Sequence, residues 1–115
     1  MIITNLNRGM KKVILLFILF NTALFSQKYS MSEHRALNDS VKLIRGTHPL
    51  KSINFLFDIA AAQKDYPTPP LSNTYNLIAE ILFKQGIFSE SLSYYKLALE
   101  TFTISKKSNR NTNVS

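Results

Sequence analysis

The stretch SNTYNLIAEILFKQGIFSESLSYYKLALETFTIS, residues 72–105, decides the fold. Tyr75, Ile78, Ala79 and Leu82 recur at spacings that place them on one face of a helix. Ser91, Tyr95 and Ala98 repeat the pattern after Gly86. The spacing predicts two helices, over 73–84 and 90–103, with Ser72 and Ser89 as N-caps. Gly86 supplies the left-handed turn conformation that strains other residues. Ala79 and Ser91 are small where the two helices are expected to cross, so the backbones can approach. Tyr95 is expected to fill the space beside them, and Ala98 to leave room for a following helix. Alternation of large and small side chains across a helix pair is how interiors reach native packing density.

These residues at these spacings resemble one tetratricopeptide repeat (TPR), a family whose period is about 34 residues. Tyr75, Ile78-Ala79 and Leu82 match its first helix, Gly86 and Phe88 its turn, and Ser91, Tyr95 and Ala98 its second. Leu82, Ser91 and Thr103 depart from the usual Tyr, Ala and Pro, and Thr103 weakens the stop signal, which allows the fourth helix to run on past 103. The resemblance implies an all-α fold of antiparallel helix hairpins, a fragment of an α-solenoid. It also implies a non-catalytic role, with a protein or peptide ligand on the side lined by first helices. On the third helix, the stripe available there is Asn73, Asn76, Glu80 and Phe83. Asn both donates and accepts, which suits a peptide backbone, and Phe83 offers an apolar contact.

Upstream, Leu37, Val41 and Ile44 predict a helix over 32–45, ended by Gly46 in a left-handed exit. Pro49 fits the first turn of a second helix that is apolar over much of its girth, from Leu50 to Ala62. A shift of 39 residues sets Ala36, Ser40, Leu43, Ser52, Leu56 and Ile59 opposite Tyr75, Ala79, Leu82, Ser91, Tyr95 and Ala98. Residues 27–66 are therefore expected to be a degenerate copy of the repeat, and 67–71 a Pro-rich linker. Residues 106–115 are polar apart from Val114 and are expected to be a disordered tail. The fourth helix offers an apolar face, Leu92, Tyr95, Leu99 and Phe102, that no predicted element covers. Stacks of this kind generally need about three repeats. That face is expected to meet further repeats of a longer protein, a second copy or another partner.

The N-terminus reads as an address. Lys11-Lys12 precedes the apolar run Val13–Phe20, and Ser26 stands at the expected cleavage point, so residues 1–26 are expected to be a signal peptide. The run Val13–Phe25 is broken by Asn21 and Thr22 and falls short of the roughly 20 residues a span requires. Export to the periplasm or the outside is expected, with a membrane anchor through this segment as the alternative. Met10 is a second credible start. The whole layout resembles the exported N-terminal part of bacterial TPR sensor proteins. That resemblance offers an alternative function, the sensory input of a transmembrane histidine kinase or helix-turn-helix regulator.

The rest of the composition excludes more than it suggests. The chain has no Cys, so disulfides and thiolate chemistry are absent. Its net charge is +7 over 115 residues, but Arg8, Lys11 and Lys12 belong to the leader. The remaining 11 basic and 7 acidic residues are scattered and leave no nucleic-acid footprint. His34 and His48 have no third ligand at metal spacing and are expected at the surface or at helix caps. Three Gly, at 9, 46 and 86, make no phosphate loop, and no cofactor is expected. No carboxylate pair or nucleophile–base arrangement can be nominated, so an enzyme is not expected.

Overall fold

A computed structural model describes residues 28–114, with side chains described through Asn109. The expected signal peptide, 1–26, lies outside these residues. Among them the fold is all-α with no strand: α1 (Met31–Ile44), α2 (Pro49–Gln63), α3 (Pro69–Lys84) and α4 (Phe88–Val114). No described helix is long and apolar enough to cross a membrane.

The helices alternate in direction. His34 meets Thr74 and Arg45 meets Glu80, so α1 and α3 run the same way. Ser91 meets Ala79 and Ser72 meets Ala98, so α4 runs antiparallel to α3. Ala79, Ser91 and Ala98 are all buried at this seam, at 0%, 1% and 3% exposure. The small side chains bring the backbones close enough for each serine Oγ to donate to a carbonyl of the facing helix. Ser91 reaches Ala79 at 2.7 Å and Ser72 reaches Ala98 at 2.6 Å. Tyr75, Ile78 and Leu82 fill the core on the α3 side, together with Leu56 of α2 and Leu71.

Gly86 closes α3 with φ 81°. Its N–H donates to Phe83 O and that of Ile87 to Leu82 O, the paired bonds of a Schellman ending.

Several boundaries differ from the sequence expectation. Gly46 does not take a left-handed exit; Gly86 alone has positive φ among the described residues. Instead the N–H groups of Thr47 and His48 both fold back onto Ile44 O. The linker expected over 67–71 shrinks, because Pro69 and Pro70 occupy the first turn of α3, where a missing N–H costs nothing. Thr68 is its N-cap, accepting from Leu71 N, which frees Ser72 to bond across to α4. At the other end, α4 does not stop near 103 but covers 106–114, the tail expected to be disordered. Polar composition there carries no Pro or Gly to break the helix.

The register of α1 also differs. Ala36, Ser40 and Leu43 are exposed, Leu43 at 85%. The buried stripe is His34, Asn38 and Val41, two residues earlier. It reproduces the spacing of Tyr75, Ala79 and Leu82, so the first-helix shift is 41 residues while α2 keeps 39. The two-residue difference is absorbed in the short α1–α2 turn. An apolar pattern could not reveal a stripe whose members include His and Asn. On α4, Tyr95 is 40% exposed and does not fill the core. Tyr94 takes that place, with its ring 5.9 Å from Phe57 and 6.2 Å from Tyr75.

Candidate functional site

A concave surface that gathers polar groups lies along α3. Lys42 of α1, Arg45 at its C-cap, Asn73, Asn76, Leu77 and Glu80 of α3, and Tyr95 of α4 line a cavity of about 390 Å³. It continues into a second of about 340 Å³ that shares Asn73, Asn76 and Tyr95 and ends at Leu99 and Phe102. The spacing of Asn73, Asn76 and Glu80 puts all three on one side of α3, and the parallel run of α1 places its basic residues beside them.

The groups in this groove differ in availability. Glu80 is engaged, accepting from Arg45 Nη1 at 2.6 Å and facing Lys84 Nζ at 3.5 Å. It tethers α1 to α3 and shapes the wall. Asn73 and Asn76 are exposed and their side-chain amides make no hydrogen bond within the described protein, so these amides are open to a ligand. Phe83, the fourth residue of the predicted stripe, lies outside the groove. Its ring packs edge-on against Phe88 at 5.2 Å beside the α3–α4 turn. Lys42, Arg45 and Tyr95 were not singled out as groove residues in the sequence. The charged pair becomes visible only once α1 is set parallel to α3, and Tyr95 only once Tyr94 is seen to take the core position.

A second cluster of chemistry-bearing side chains is sealed. His34 is wholly buried, and its Nε2 lies 2.6 Å from Thr74 Oγ1. The Thr74 hydroxyl has two acceptors within reach, Asn38 Oδ1 at 2.7 Å and Pro70 O at 3.0 Å. Asn38 Nδ2 donates to Pro70 O at 2.9 Å. Thr74 has one proton, and either carbonyl acceptor claims it; His34 Nε2 must then donate. The neutral Nε2–H tautomer leaves Nδ1 as a bare acceptor, and Nδ1 is buried without a partner. Burial pushes the His34 pKa below its ordinary value. The cluster therefore pins α1 to α3 and offers nothing to solvent, contrary to the surface or capping role expected for this histidine. His48 stands at the α2 N-cap but makes no capping bond with its side chain, and pairs with Thr47 Oγ1 at 2.9 Å.

Gln63 makes a third polar contact of the same structural kind. Its Oε1 accepts from the N–H groups of Lys28 and Tyr29, and its Nε2 donates to Tyr29 O, clamping the chain entering α1. Among the described residues no group of three His, Asp or Glu could hold a metal ion. No family model matches the chain, and no curated protein or solved structure is significantly similar to it.

Proposed function

We propose that this chain is an exported, TPR-like interaction module that holds an extended segment of a protein partner along α3. The observation that carries the reading is the groove itself. Two unpartnered amides, Asn73 and Asn76, stand one helical turn apart, between the basic flank of Lys42 and Arg45 and the ring of Tyr95. An extended peptide presents a donor and an acceptor at every residue, and an Asn amide can serve both. Tyr95 adds an apolar face for a side chain of the ligand. The small-residue seam at Ala79, Ser91 and Ala98 supports the repeat assignment, because it fixes α3 and α4 as a rigid hairpin beneath the groove. Export follows from the leader-like composition of residues 1–26.

The test uses a displayed library of random dodecapeptides selected against the purified protein. Enriched peptides should bind the Asn73→Ala/Asn76→Ala variant about tenfold more weakly, the cost of roughly two ordinary hydrogen bonds. Circular dichroism should be unchanged, since both residues are exposed. A failure to enrich any sequence, or affinities indifferent to the double substitution, would reject the groove as a peptide site.

A further inference from the structure

We infer that the free face of α4 is a self-association surface, on which a second copy docks its own α4 antiparallel. The stripe is Phe88, Leu92, Tyr95, Leu99, Phe102 and Lys106. Its spacings alternate four and three without a break, the seam of a coiled coil. The five apolar members are 60%, 55%, 40%, 66% and 40% exposed, so this seam is not the face that packs on α3. That face is the neighbouring line of Ser91, Ala98, Thr101 and Ser105.

The order of residues along the stripe selects both occupant and direction. In an antiparallel pair, Leu92 of one copy lies opposite Phe102 of the other, and Tyr95 opposite Leu99. Every central layer then joins one leucine to one aromatic ring. Lys106 falls opposite Phe88, whose ring is already set edge-on to Phe83 at 5.2 Å. Lys106 has an aromatic preference within its own copy too, sitting 5.2 Å above the Phe102 ring. A parallel pair would instead stack Phe on Phe, Leu on Leu and Lys106 on Lys106, a like-charge contact. Antiparallel docking also brings Lys96 within a turn of Glu100 of the second copy, twice by symmetry. Neither residue makes an ion pair within its own copy among the described residues.

Aromatic side chains carry on the order of 150–250 Å² each. The exposed parts of these three aromatics and two leucines, with their polar flanks, put two copies together near the lower limit of specific interfaces, about 1,200 Å². Interfaces at that lower limit are those of weak, transient encounters, so the dimer is expected to be reversible. The seam shares Tyr95, Leu99 and Phe102 with the groove, so a docked copy and a bound peptide compete for that end, but the inference does not rest on the peptide reading.

Sedimentation velocity of the purified protein from about 1 to about 300 µM should show a monomer–dimer equilibrium. Leu99→Asp places an unpaired charge in the seam and should weaken the dimer more than about tenfold. Its helical circular dichroism should stay that of the wild type. Direction is read by disulfide capture, free of background because the chain has no Cys. Leu92→Cys protein mixed with Phe102→Cys protein should cross-link to each other, and neither to itself. A monomer throughout the concentration range, a dimer indifferent to Leu99→Asp, or self-cross-linking of either cysteine variant would overturn the inference.

Discussion

Ser52 and Ser91 occupy matching places in the two helix pairs, 39 residues apart, and both are buried. Ser91 Oγ donates to Ala79 O across the α3–α4 seam. Ser52 Oγ has no partner. The residue matching Ala79 on α1 is Asn38, and its side chain is turned to Thr74 and Pro70 of α3. The α3–α4 hairpin is thus closed by small side chains and direct backbone approach. The α1–α2 pair leans on α3 through both of its helices: α1 by the His34–Thr74–Asn38 cluster and the Arg45–Glu80 ion pair, α2 by Ile53 and Leu56 in the shared core. One pair closes on itself through small side chains, and the other is stitched to its neighbour by polar contacts from α1 as well as by apolar packing from α2. The two should therefore fail under different insults.

The sharpest way to break the α3–α4 pair is Ala79→Phe. The site is fully buried against α4, so the ring forces the helices apart, and the loss should be about 3 kcal/mol or more. A chemical melt followed by circular dichroism measures it; a loss below about 0.5 kcal/mol would be that of an ordinary surface position. Gly86→Val strains the same hairpin at its turn, where φ is 81°. Open space surrounds the glycine, so the cost is conformational and not steric crowding from neighbours. It should be about 1–2 kcal/mol, read from the same melt.

The stitched pair responds to acid. The folded His34 pKa is depressed by burial, so its proton is taken up first by the unfolded chain, near pH 6.5. Stability is then whole above that pH and declines as pH falls toward the folded pKa, by up to about 1.4 kcal/mol per pH unit. Urea melts at a series of pH values should show this decline in the wild type and its loss in His34→Gln. An equal slope in both proteins would remove His34 from the account. The smallest contrast is between the two serines. Ser91→Ala forfeits a made hydrogen bond and should cost about 1 kcal/mol. Ser52→Ala removes an orphaned hydroxyl and should be neutral or stabilising by a similar amount. Equal losses from both would erase the distinction between the pairs.

The same contrast explains what could be read from the sequence. The α3–α4 hairpin was legible because its packing follows side-chain size and apolar spacing, which Tyr75, Ile78, Ala79 and Leu82 display openly. The α1 register was not, because two of the three residues in its buried stripe are His34 and Asn38. These residues are hidden by hydrogen bonds to Thr74 and Pro70, which lie more than 30 residues away. Asn73, Asn76 and Glu80 were legible as a stripe because they alternate with the core of one helix. Their neighbours Lys42 and Arg45 were not, since no local rule relates one helix to the face of the next but one. Tyr94 and Tyr95 are adjacent and alike, and only the direction of the α4 face decides which is core. The extension of α4 over residues 106–114 escaped because polar composition alone does not distinguish a solvated helix from a tail.

The nesting of α3 on α4 is best tested by a methyl-resolved nuclear Overhauser spectrum of the folded protein. Cross-peaks should join the Ala79 methyl to the Ser91 side chain and the Ala98 methyl to that of Ser72. A well-folded helical protein lacking both would contradict the account.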